Sequence, residues 1–582
     1  MLGVMSAELV SRRDMLKTLG GLAGVGFLSR LSFGQDGSRP NIIFINSDDH
    51  AQHALSCYGS RILNTPQFDR LASEGMRFDN SFVITSLCAP SRATVLTGKY
   101  PHLHGQTANG DTFNSNQNTY PQLLRAAGYQ TGYVGKWHLG SDPVGFDYWE
   151  VLPGQGAYFN PRFYKMGETV QYNGYCTDII TERAFHYLDN VSQDQPFFLN
   201  IGHKAPHRSW LPPSRYRDLF EDMNIPEPET LYDDHSTRST ALKHINMHLL
   251  DIPEYSAPGD LSQDEKLAHI YQQFIKQYIR TVTALDENIG WLLDYLDDHN
   301  LTENTVVIYT ADNGLYLGDH GWYKKSYMYE EALKVPLIVR CPGEVPPGSV
   351  SDDFVLNLDI GETILDYAGV IAPSDMQGRS FRPLLRGGEV PDWRNSMYYH
   401  FYSYGPYSSR PNYGIRTERY KLINYYEYDQ WDDEWELFDL ERDPHELHNL
   451  YGDPEYAEVQ SQLIQELNRL RIQYGESPVS PEVMEVEDMP AEFALVRNYP
   501  NPFNNTTTIE FTLPERTDVS IRIFNTKGEV IRTLVNTSKA AGKHTVRWNG
   551  RSNAGEVVSS GMYLCKMISG KKQSVLKLTL VK

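Results

Sequence analysis

The stretch LCAPSRATVLTGK runs from Leu87 to Lys99, and the other motifs of the chain are interpreted in relation to it. A Pro-Ser pair comes shortly after Cys88 and favours the first turn of a helix, so the sequence predicts Cys88 at a helix N-terminus. Free backbone N–H groups and a partial positive charge at such an end favour an anion. Arg92 adds a cation one turn along. The simplest alternative is a buried free cysteine beside a surface arginine.

Composition limits the possible classes of protein. The 582 residues exceed what one ordinary hydrophobic core holds, so we expect two or more domains. The hydrophobic fraction of 40% fits a globular enzyme, and a net charge of −21 argues against nucleic acid as a partner. The five cysteines form no C-x-x-C pair, which argues against a zinc knuckle or a disulfide framework. Because five is an odd number, at least one cysteine has no partner within the chain, and Cys88 is the natural candidate for that cysteine.

Residues 1–36 have the features of a bacterial export signal. Arg12 and Arg13 precede an apolar run from Leu19 to Leu28 that is rich in glycine and alanine, a pattern that resembles a twin-arginine signal. The run is shorter than the roughly 20 apolar residues that span a bilayer. We therefore expect the twin-arginine machinery as a partner and no transmembrane segment in the mature protein. The expected location is the periplasm, the cell surface or the medium of a bacterium.

Strand and helix patterns alternate from Asn41 onward. The run NIIFIN, residues Asn41–Asn46, is typical of a strand buried on both faces. The other predicted strands here are Gln130–Val134, Phe197–Ile201 and Thr305–Thr310, and the predicted helices include Thr119–Ala127 and a long one at about 266–299. This alternation predicts an α/β sheet with helices on both faces. In such sheets ligands bind beyond the carboxyl ends of the strands.

Reactive and charged residues follow all four predicted strands. They are Asp48-Asp49-His50 after the first, Lys136 and His138 after the second, His203, Lys204 and His207 after the third, and Asp312-Asn313 after the fourth. An isolated Asp-Asn-Gly is usually a turn. Four such groups at strand ends predict one active site that also contains Cys88.

Four of these residues offer only oxygen atoms to a metal, namely Asp48, Asp49, Asp312 and Asn313. Oxygen ligands favour a hard cation such as Ca²⁺ or Mg²⁺ over zinc. A solvated acidic patch is the alternative. The position of all four at strand ends favours the metal site.

The sequence CAPSR followed by ATVLTGKYP resembles the signature of type I sulfatases, in which the cysteine of C-x-P-S-R is oxidised to formylglycine (3-oxoalanine). The resemblance covers about Arg39 to Gly475. It implies an alkaline-phosphatase-like, mixed and mostly parallel sheet flanked by helices, with a smaller C-terminal α/β subdomain. It also implies one calcium ion, bound by the four oxygen ligands and by modified Cys88, and a formylglycine-generating maturation enzyme as a partner.

The same resemblance implies roles for the charged residues. Arg92, Lys136 and Lys325 match positions that bind the sulfate or stabilise the modified nucleophile. Sulfatases of this kind have a D-K-R-like triplet where this chain has Lys324-Lys325-Ser326, so Lys324 stays an alternative sulfate ligand. His138 would act as the base towards the formylglycine hydrate. His207 would protonate the leaving alcohol, with His203 as the alternative.

The implied reaction is hydrolysis of sulfate esters, which releases inorganic sulfate. The motifs GHKAPHRSW and DNGLYLGDHGWY resemble bacterial carbohydrate sulfatases of the N-acetylglucosamine-6-sulfatase-like kind, so a sulfated carbohydrate is the expected substrate. One alternative is a phosphatase or phosphodiesterase of the alkaline phosphatase superfamily. The other is a non-catalytic protein that binds sulfated glycans.

The chain divides into further segments after the signal. We expect a catalytic domain at 38–475 with its smaller subdomain at about 390–475, an acidic proline-rich linker at 476–492, and a β-sandwich of immunoglobulin type at 493–582. A single strand is predicted at Arg416–Ile423. The motifs YPNPFN and GMY near the C-terminus resemble a type IX secretion sorting domain, which would make that machinery a partner. A carbohydrate-binding module is the alternative.

Overall fold

The computed structural model describes residues 39–402, 409–426, 433–479, 493–504, 506–514, 517–539, 542–570 and 572–581. The expected export signal and residues 480–492 of the expected linker lie outside these ranges. Within the described ranges, we find no helix whose length and hydropathy would let it cross a bilayer.

Sixteen strands lie in the described parts of residues 39–479. They are β1 (Asn41–Ser47), β2 (Met76–Phe78), β3 (Ser81–Phe82), β4 (Gln130–Lys136), β5 (Tyr148–Leu152), β6 (Arg162–Lys165), β7 (Glu168–Gln171), β8 (Phe197–Gly202), β9 (Thr305–Ala311), β10 (Leu337–Arg340), β11 (Ser349–Ser351), β12 (Val355–Leu356), β13 (Ser396–Phe401), β14 (Asn412–Thr417), β15 (Tyr420–Tyr425) and β16 (Glu434–Asp439).

The α-helices of the same part are α1 (Pro66–Glu74), α2 (Cys88–Thr97), α3 (Pro101–His104), α4 (Tyr120–Ala126), α5 (Cys176–Leu188), α6 (Gln263–Asp298), α7 (Glu330–Leu333), α8 (Ile360–Tyr367), α9 (Arg382–Leu385) and α10 (Ala457–Gln473). The predicted helix start at Cys88 is confirmed. Ser262 and Glu265 form a capping box at the start of α6, which explains where this long helix begins.

The main sheet has ten strands in the order β11-β2-β10-β9-β1-β8-β4-β5-β6-β7. The five strands from β9 to β5 are parallel to one another, and β1 lies between β9 and β8 in this group. Strands β10 and β6 are antiparallel to this central group. The predicted mixed, mostly parallel sheet is therefore confirmed, and the carboxyl ends of the central strands lie along one edge.

Helices cover both faces of the main sheet. Ile43 and Ile45 of β1 lie in an apolar cluster with residues of α1, α5 and α6. Ile42 and Phe44 face the other way, into a cluster with residues of α2, α4 and α8. Since successive side chains of a strand point to opposite faces, an apolar run is what a strand between two helical layers requires.

A second, antiparallel sheet has the order β13-β14-β15-β16, and apolar residues of α10 share its core. The single strand predicted at Arg416–Ile423 is wrong, because β14 and β15 are separate strands of a hairpin that turns at Glu418 and Arg419. Thr417 closes the turn, since its Oγ1 accepts from the Tyr420 N–H at 3.0 Å. Neither turn residue is glycine or asparagine, so the sequence pattern gave no sign of a turn between the two strands.

The C-terminal region is all-β, as predicted. Its strands are β17 (Ala494–Tyr499), β18 (Thr507–Leu513), β19 (Thr517–Phe524), β20 (Val530–Lys539), β21 (Gly542–Trp548), β22 (Gly561–Ser569) and β23 (Lys572–Leu580). They form a three-stranded sheet, β17-β18-β21, and a four-stranded sheet, β20-β19-β22-β23, both antiparallel. Ile509, Ile521 and Trp548 contribute to one apolar core shared by the two sheets, which is the arrangement of a sandwich.

Replacing a core residue of α6 tests how much this helix stabilises the main domain. Leu285 is fully buried in the cluster under the sheet. We expect Leu285→Ala to lower the free energy of unfolding by about 2–5 kcal/mol, because it removes apolar contacts and leaves a cavity. The measurement is the denaturant midpoint of the main unfolding transition. His269→Ala, at an exposed position of the same helix, is the control and should shift the midpoint little.

Candidate active site

Two neighbouring strands place four oxygen-bearing side chains together. Asp48 and Asp49 follow the end of β1, and Asp312 and Asn313 follow the end of β9. The last residues of the two strands are paired in register, so the residues that follow them are adjacent. The backbone N–H of Asp49 donates to Asp312 Oδ1 at 3.1 Å, and Asn313 Nδ2 donates to Asp49 Oδ1 at 2.6 Å. All four side chains are buried.

Cys88 lies beside this group at the N-terminus of α2. Its Sγ is 3.8 Å from Asp49 Oδ1 and 3.6 Å from Lys325 Nζ. Burial, together with the negative charge of Asp48, raises the pKa of the Cys88 thiol well above its ordinary value. Because the thiolate is the reactive form of cysteine, an unmodified Cys88 is a poor nucleophile in this environment.

Three buried cations compensate the carboxylates. Lys136 Nζ is ion-paired with Asp48, and Lys325 Nζ with Asp49. Arg92 Nε donates to Asp312 Oδ2 at 2.8 Å. Each carboxylate therefore has its own cationic partner, as buried charges require.

Arg92 also joins the helix to the sheet. Its Nη1 donates to the backbone carbonyl oxygen of Lys136 at 2.6 Å. Its Nη2 is buried and has no hydrogen-bond partner among the described residues.

The pKa values of the carboxyl groups reflect their crowding. Burial by itself would raise the pKa of Asp48, but the nearby His207 ring and the positive charges of Lys136 and Arg92 hold it well below its ordinary value. Burial, and then repulsion by Asp48, raises the pKa of Asp312 to about 7. A divalent cation between these groups would favour their ionised forms.

The donor atoms fit a metal ion. Ligand atoms of Asp48, Asp49, Cys88 and His207 lie within 4.8 Å of one another. Asp48 Oδ1 and Asn313 Oδ1 are buried without a hydrogen-bond partner in the described chain. Unpaired buried oxygens are costly unless a ligand binds them, and oxygen donors suit a hard cation.

Two of the predicted histidines lie among the charged groups. His207 Nε2 is 3.7 Å from Asp49 Oδ2, and its Nδ1 donates to the Arg208 carbonyl oxygen at 2.7 Å. Burial lowers the pKa of His207 to about 3 and that of His138 to about 2, so both rings are neutral near neutral pH. His203 is also buried, but the charge that acts on its ring is that of Asp178.

The two neighbouring lysines differ in position. Lys325 contacts Asp49 and Cys88, and although burial opposes its charge, Asp49 raises the pKa of Lys325 above its ordinary value. Lys324 is half-buried, with its Nζ 5.3 Å from the centre of the Tyr323 ring. Of the two predicted alternatives, Lys325 is the one that the structure places beside Cys88.

Comparison with known protein families identifies the family to which the chain belongs. The family model described as "Sulfatase" matches residues 40–370, more than half of the chain. The chain belongs to the sulfatase family. A model described as "N-sulphoglucosamine sulphohydrolase, C-terminal" matches residues 318–473 of this sulfatase, and one described as "FlgD Ig-like domain" matches residues 501–573. The predicted family and enzyme class are confirmed.

Individual relatives agree with the family. An N-acetylglucosamine-6-O-sulfatase of Bacteroides thetaiotaomicron is 41% identical over 495 residues, which are 76% of this chain and 88% of the relative. A solved structure in complex with its substrate D-glucosamine-2-N,6-O-disulfate is 40% identical with a TM-score of 0.73, covering 77% of this chain and 100% of that chain. A phosphonate monoester hydrolase of Agrobacterium radiobacter, 22% identical with a TM-score of 0.62 over 76% of this chain and 97% of that chain, shares the fold.

The sulfatase site contains residues that the sequence analysis did not select. Gln155 Oε1 accepts from Lys136 Nζ at 2.5 Å, and Gln155 Nε2 is 3.2 Å from His138 Nε2. Gln155 follows β5, so the signal that identified the other residues, a polar residue after a parallel strand, applies to it as well. It was missed because β5 was not predicted.

Lys204 was noted after β8 but given no role. It is buried, with its Nζ 4.8 Å from the centre of the Tyr158 ring, and Tyr158 Oη donates to the His207 carbonyl oxygen at 2.6 Å. Burial and the charge of Lys136 lower the pKa of Lys204 to about 8. Lys204 and Tyr158 therefore pack together next to the backbone of His207.

Replacing each of the two lysines separately tests their placement. We expect Lys325→Met to lower kcat/KM for a sulfate ester by about 10²–10³-fold, because a buried cation beside the nucleophile position is removed. Lys324→Met is the matched control and should change kcat/KM by less than about tenfold. Initial rates with a sulfated sugar measure both, and melting curves verify that each variant folds. Equal losses, or a larger loss for Lys324→Met, would contradict the placement.

Proposed function

We propose that this sulfatase hydrolyses the 6-O-sulfate of glucosamine units in sulfated glycans. The observation that carries the proposal is the position of Cys88, at the start of α2 and beside the ion pair of Asp49 and Lys325. The sugar class is supported by the relative named N-acetylglucosamine-6-O-sulfatase and by the structural neighbour whose substrate is a 6-O-sulfated glucosamine.

We infer that Cys88 is converted to formylglycine, which supplies a hydroxyl nucleophile for the sulfur atom. The raised pKa of the thiol supports this, because the unmodified side chain would be protonated and unreactive. A formylglycine-generating enzyme is then a required partner of the chain.

We infer that Asp48, Asp49, Asp312 and Asn313 bind one calcium ion together with the modified residue 88, with Mg²⁺ as the alternative. The unpaired oxygens of Asp48 and Asn313 support this assignment. When bound, the cation supplies positive charge that acidifies the nucleophile and offsets the charge of the sulfate.

The chain's own cations would bind and orient the sulfate group. Lys136, Lys325 and Arg92 enter the site from three different segments, and all are buried. In a site of low dielectric, fixed positive charges stabilise negative charge that develops on the sulfate oxygens and on the leaving oxygen.

His207 is the candidate proton donor to the leaving alcohol. Its Nδ1 keeps a proton by donating to the Arg208 carbonyl oxygen, so Nε2 is the exchangeable position. Nε2 is unprotonated in the neutral ring, so it would have to take up a proton before it could donate one. It faces Asp49, whose negative charge favours that protonation.

We further propose that the protein is exported. The Arg12-Arg13 pattern supports transport by the twin-arginine machinery. The terminal motifs YPNPFN and GMY support sorting by the type IX secretion machinery to the bacterial cell surface or the medium. Both machineries are thus proposed partners.

Mass spectrometry of the peptide that contains Cys88 tests the nucleophile. We expect the protein from its native host, or co-expressed with a maturation enzyme, to show the mass of an aldehyde or its hydrate in place of the thiol. The converted enzyme should release sulfate from glucosamine 6-sulfate, whereas Cys88→Ala should not. Unmodified cysteine, under conditions that convert a known sulfatase, would refute the nucleophile. Release of phosphate but not of sulfate would refute the reaction.

Calcium should stabilise the folded protein. Binding to the native state alone contributes about 2.7 kcal/mol at a free concentration 100 times the Kd, so Ca²⁺ should raise the melting temperature and a chelator should lower it. Asn313→Ala removes an unpaired oxygen and should weaken the response. Asp142→Asn, at an exposed loop position, is the control and should respond like the wild type. A full response in Asn313→Ala would remove that residue from the ligand set.

A further inference from the structure

Residues 316–324, here called the lysine loop, lie between the end of β9 and Lys325. The two ends of the loop are paired, since the Tyr316 N–H donates to the Lys324 carbonyl oxygen at 2.9 Å. Its tip is the short 3-10 turn Asp319–Gly321. Because Lys324 directly precedes Lys325, the direction in which the Lys325 side chain leaves the backbone depends on how this loop is held.

His320, at the tip of the lysine loop, is bound to one distant segment by three separate groups. Its ring nitrogen Nδ1 is 2.9 Å from Asp233 Oδ2. Its backbone N–H donates to Thr230 Oγ1 at 2.9 Å, and its carbonyl oxygen accepts from His235 Nε2 at 3.0 Å. Side chain and backbone of this one residue thus fix the tip against residues 230–235.

The contact between His320 and Asp233 is a buried ion pair. The His320 side chain is fully buried, and that of Asp233 is 7% exposed. Although burial opposes the charged ring, the hydrogen bond to Asp233 raises the pKa of His320 above its ordinary value. Glu331 Oε2, 3.9 Å from Nε2, adds negative charge near the other ring nitrogen. Breaking a buried pair of this kind leaves an uncompensated charge, so the contact holds the tip firmly.

A second contact at the tip is weaker. His53 Nε2, in the segment after β1, is 3.4 Å from Asp319 Oδ2. The His53 side chain is 41% exposed, and ion pairs open to solvent contribute little. The position of the tip therefore depends mainly on His320.

The backbone that follows Lys325 is held independently of the loop. Tyr399 Oη donates to the Ser326 carbonyl oxygen at 2.8 Å. Lys325 thus lies between one backbone position fixed by Tyr399 and another fixed through the lysine loop. Its Nζ, 3.6 Å from Cys88 Sγ, is at the end of a long side chain, so a shift of the loop displaces it from that contact.

We propose that His320 is a positioning residue, which holds the lysine loop through Asp233 and thereby keeps Lys325 Nζ beside residue 88. The arrangement of the loop is a property of the folded chain. Only the consequence for turnover rests on the proposed function.

Hydrogen–deuterium exchange, followed by mass spectrometry, tests the loop without any catalytic activity. We expect His320→Ala to speed amide exchange in residues 316–324 by about tenfold or more, because the charged hydrogen bond to Asp233 is lost. His320→Asn should stay close to the wild type. Asparagine tolerates the positive φ of 55° at this position, and its short side chain keeps an N–H donor for Asp233.

A second buried histidine–carboxylate pair provides the matched control. His400 Nδ1 is 2.9 Å from Glu476 Oε1, and His400→Ala should leave exchange in the lysine loop unchanged. Asp233→Asn keeps an oxygen acceptor but removes the charge, so it should speed exchange by a smaller factor, and it decides the question if His320→Ala does not fold. Wild-type exchange in Asp233→Asn and His320→Ala, or equal acceleration in His400→Ala, would overturn the proposal.

Kinetics of the converted enzyme test the link to Lys325. With glucosamine 6-sulfate we expect His320→Ala to lower kcat by about 10- to 100-fold with a small change in KM, because a cation is displaced from the transition state. His320→Asn should recover most of that loss. In the Lys325→Met background, His320→Ala should have little further effect.

The outcomes separate the two proposals. A full, additive loss in the Lys325→Met background would mean that His320 acts through another residue, and it would overturn the positioning role. If the wild type does not release sulfate from glucosamine 6-sulfate, the proposed function fails, whereas the exchange result still decides whether His320 holds the loop.

Discussion

The ion pair between Arg92 and Asp312 fixes the position of α2 on the main sheet, and the site depends on that position. Both groups are buried, so loss of either would leave an uncompensated charge, at a cost of about 3–5 kcal/mol. The same guanidinium binds the carbonyl oxygen at the end of β4. One side chain therefore connects a helix to two strands. The helix N-terminus, with Cys88, is held beside the carboxylates of β1 as a result.

Features that depend on local chemistry could be predicted from the sequence. The apolar run of β1 indicated a doubly covered strand, and the Pro-Ser pair after Cys88 indicated the helix start. Because parallel strands end along one edge, residues far apart in sequence, such as Asp48 and Asp312, could be placed together from the strand pattern alone. The fold class and the carboxylate group followed from these patterns.

Features that depend on the direction of a side chain in an irregular segment could not be predicted from the sequence. Lys324 and Lys325 are neighbours in a loop without a repeating backbone, so no periodicity tells which one faces Cys88. His203 and His207 present the same difficulty after β8. Gln155 follows a short strand whose sequence was not recognised, and its two hydrogen bonds exist only because β4 and β5 are paired.

The central place of β1 affects how the chain must fold. Its two neighbours, β8 and β9, come much later in the sequence, and β9 begins at Thr305, beyond the midpoint of the chain. During synthesis the first strand therefore emerges long before the partners that pair with its backbone and cover its apolar side chains. Such non-local pairing slows folding and leaves an aggregation-prone edge in the meantime. The nascent chain of this sulfatase should depend on chaperones until β9 has been made.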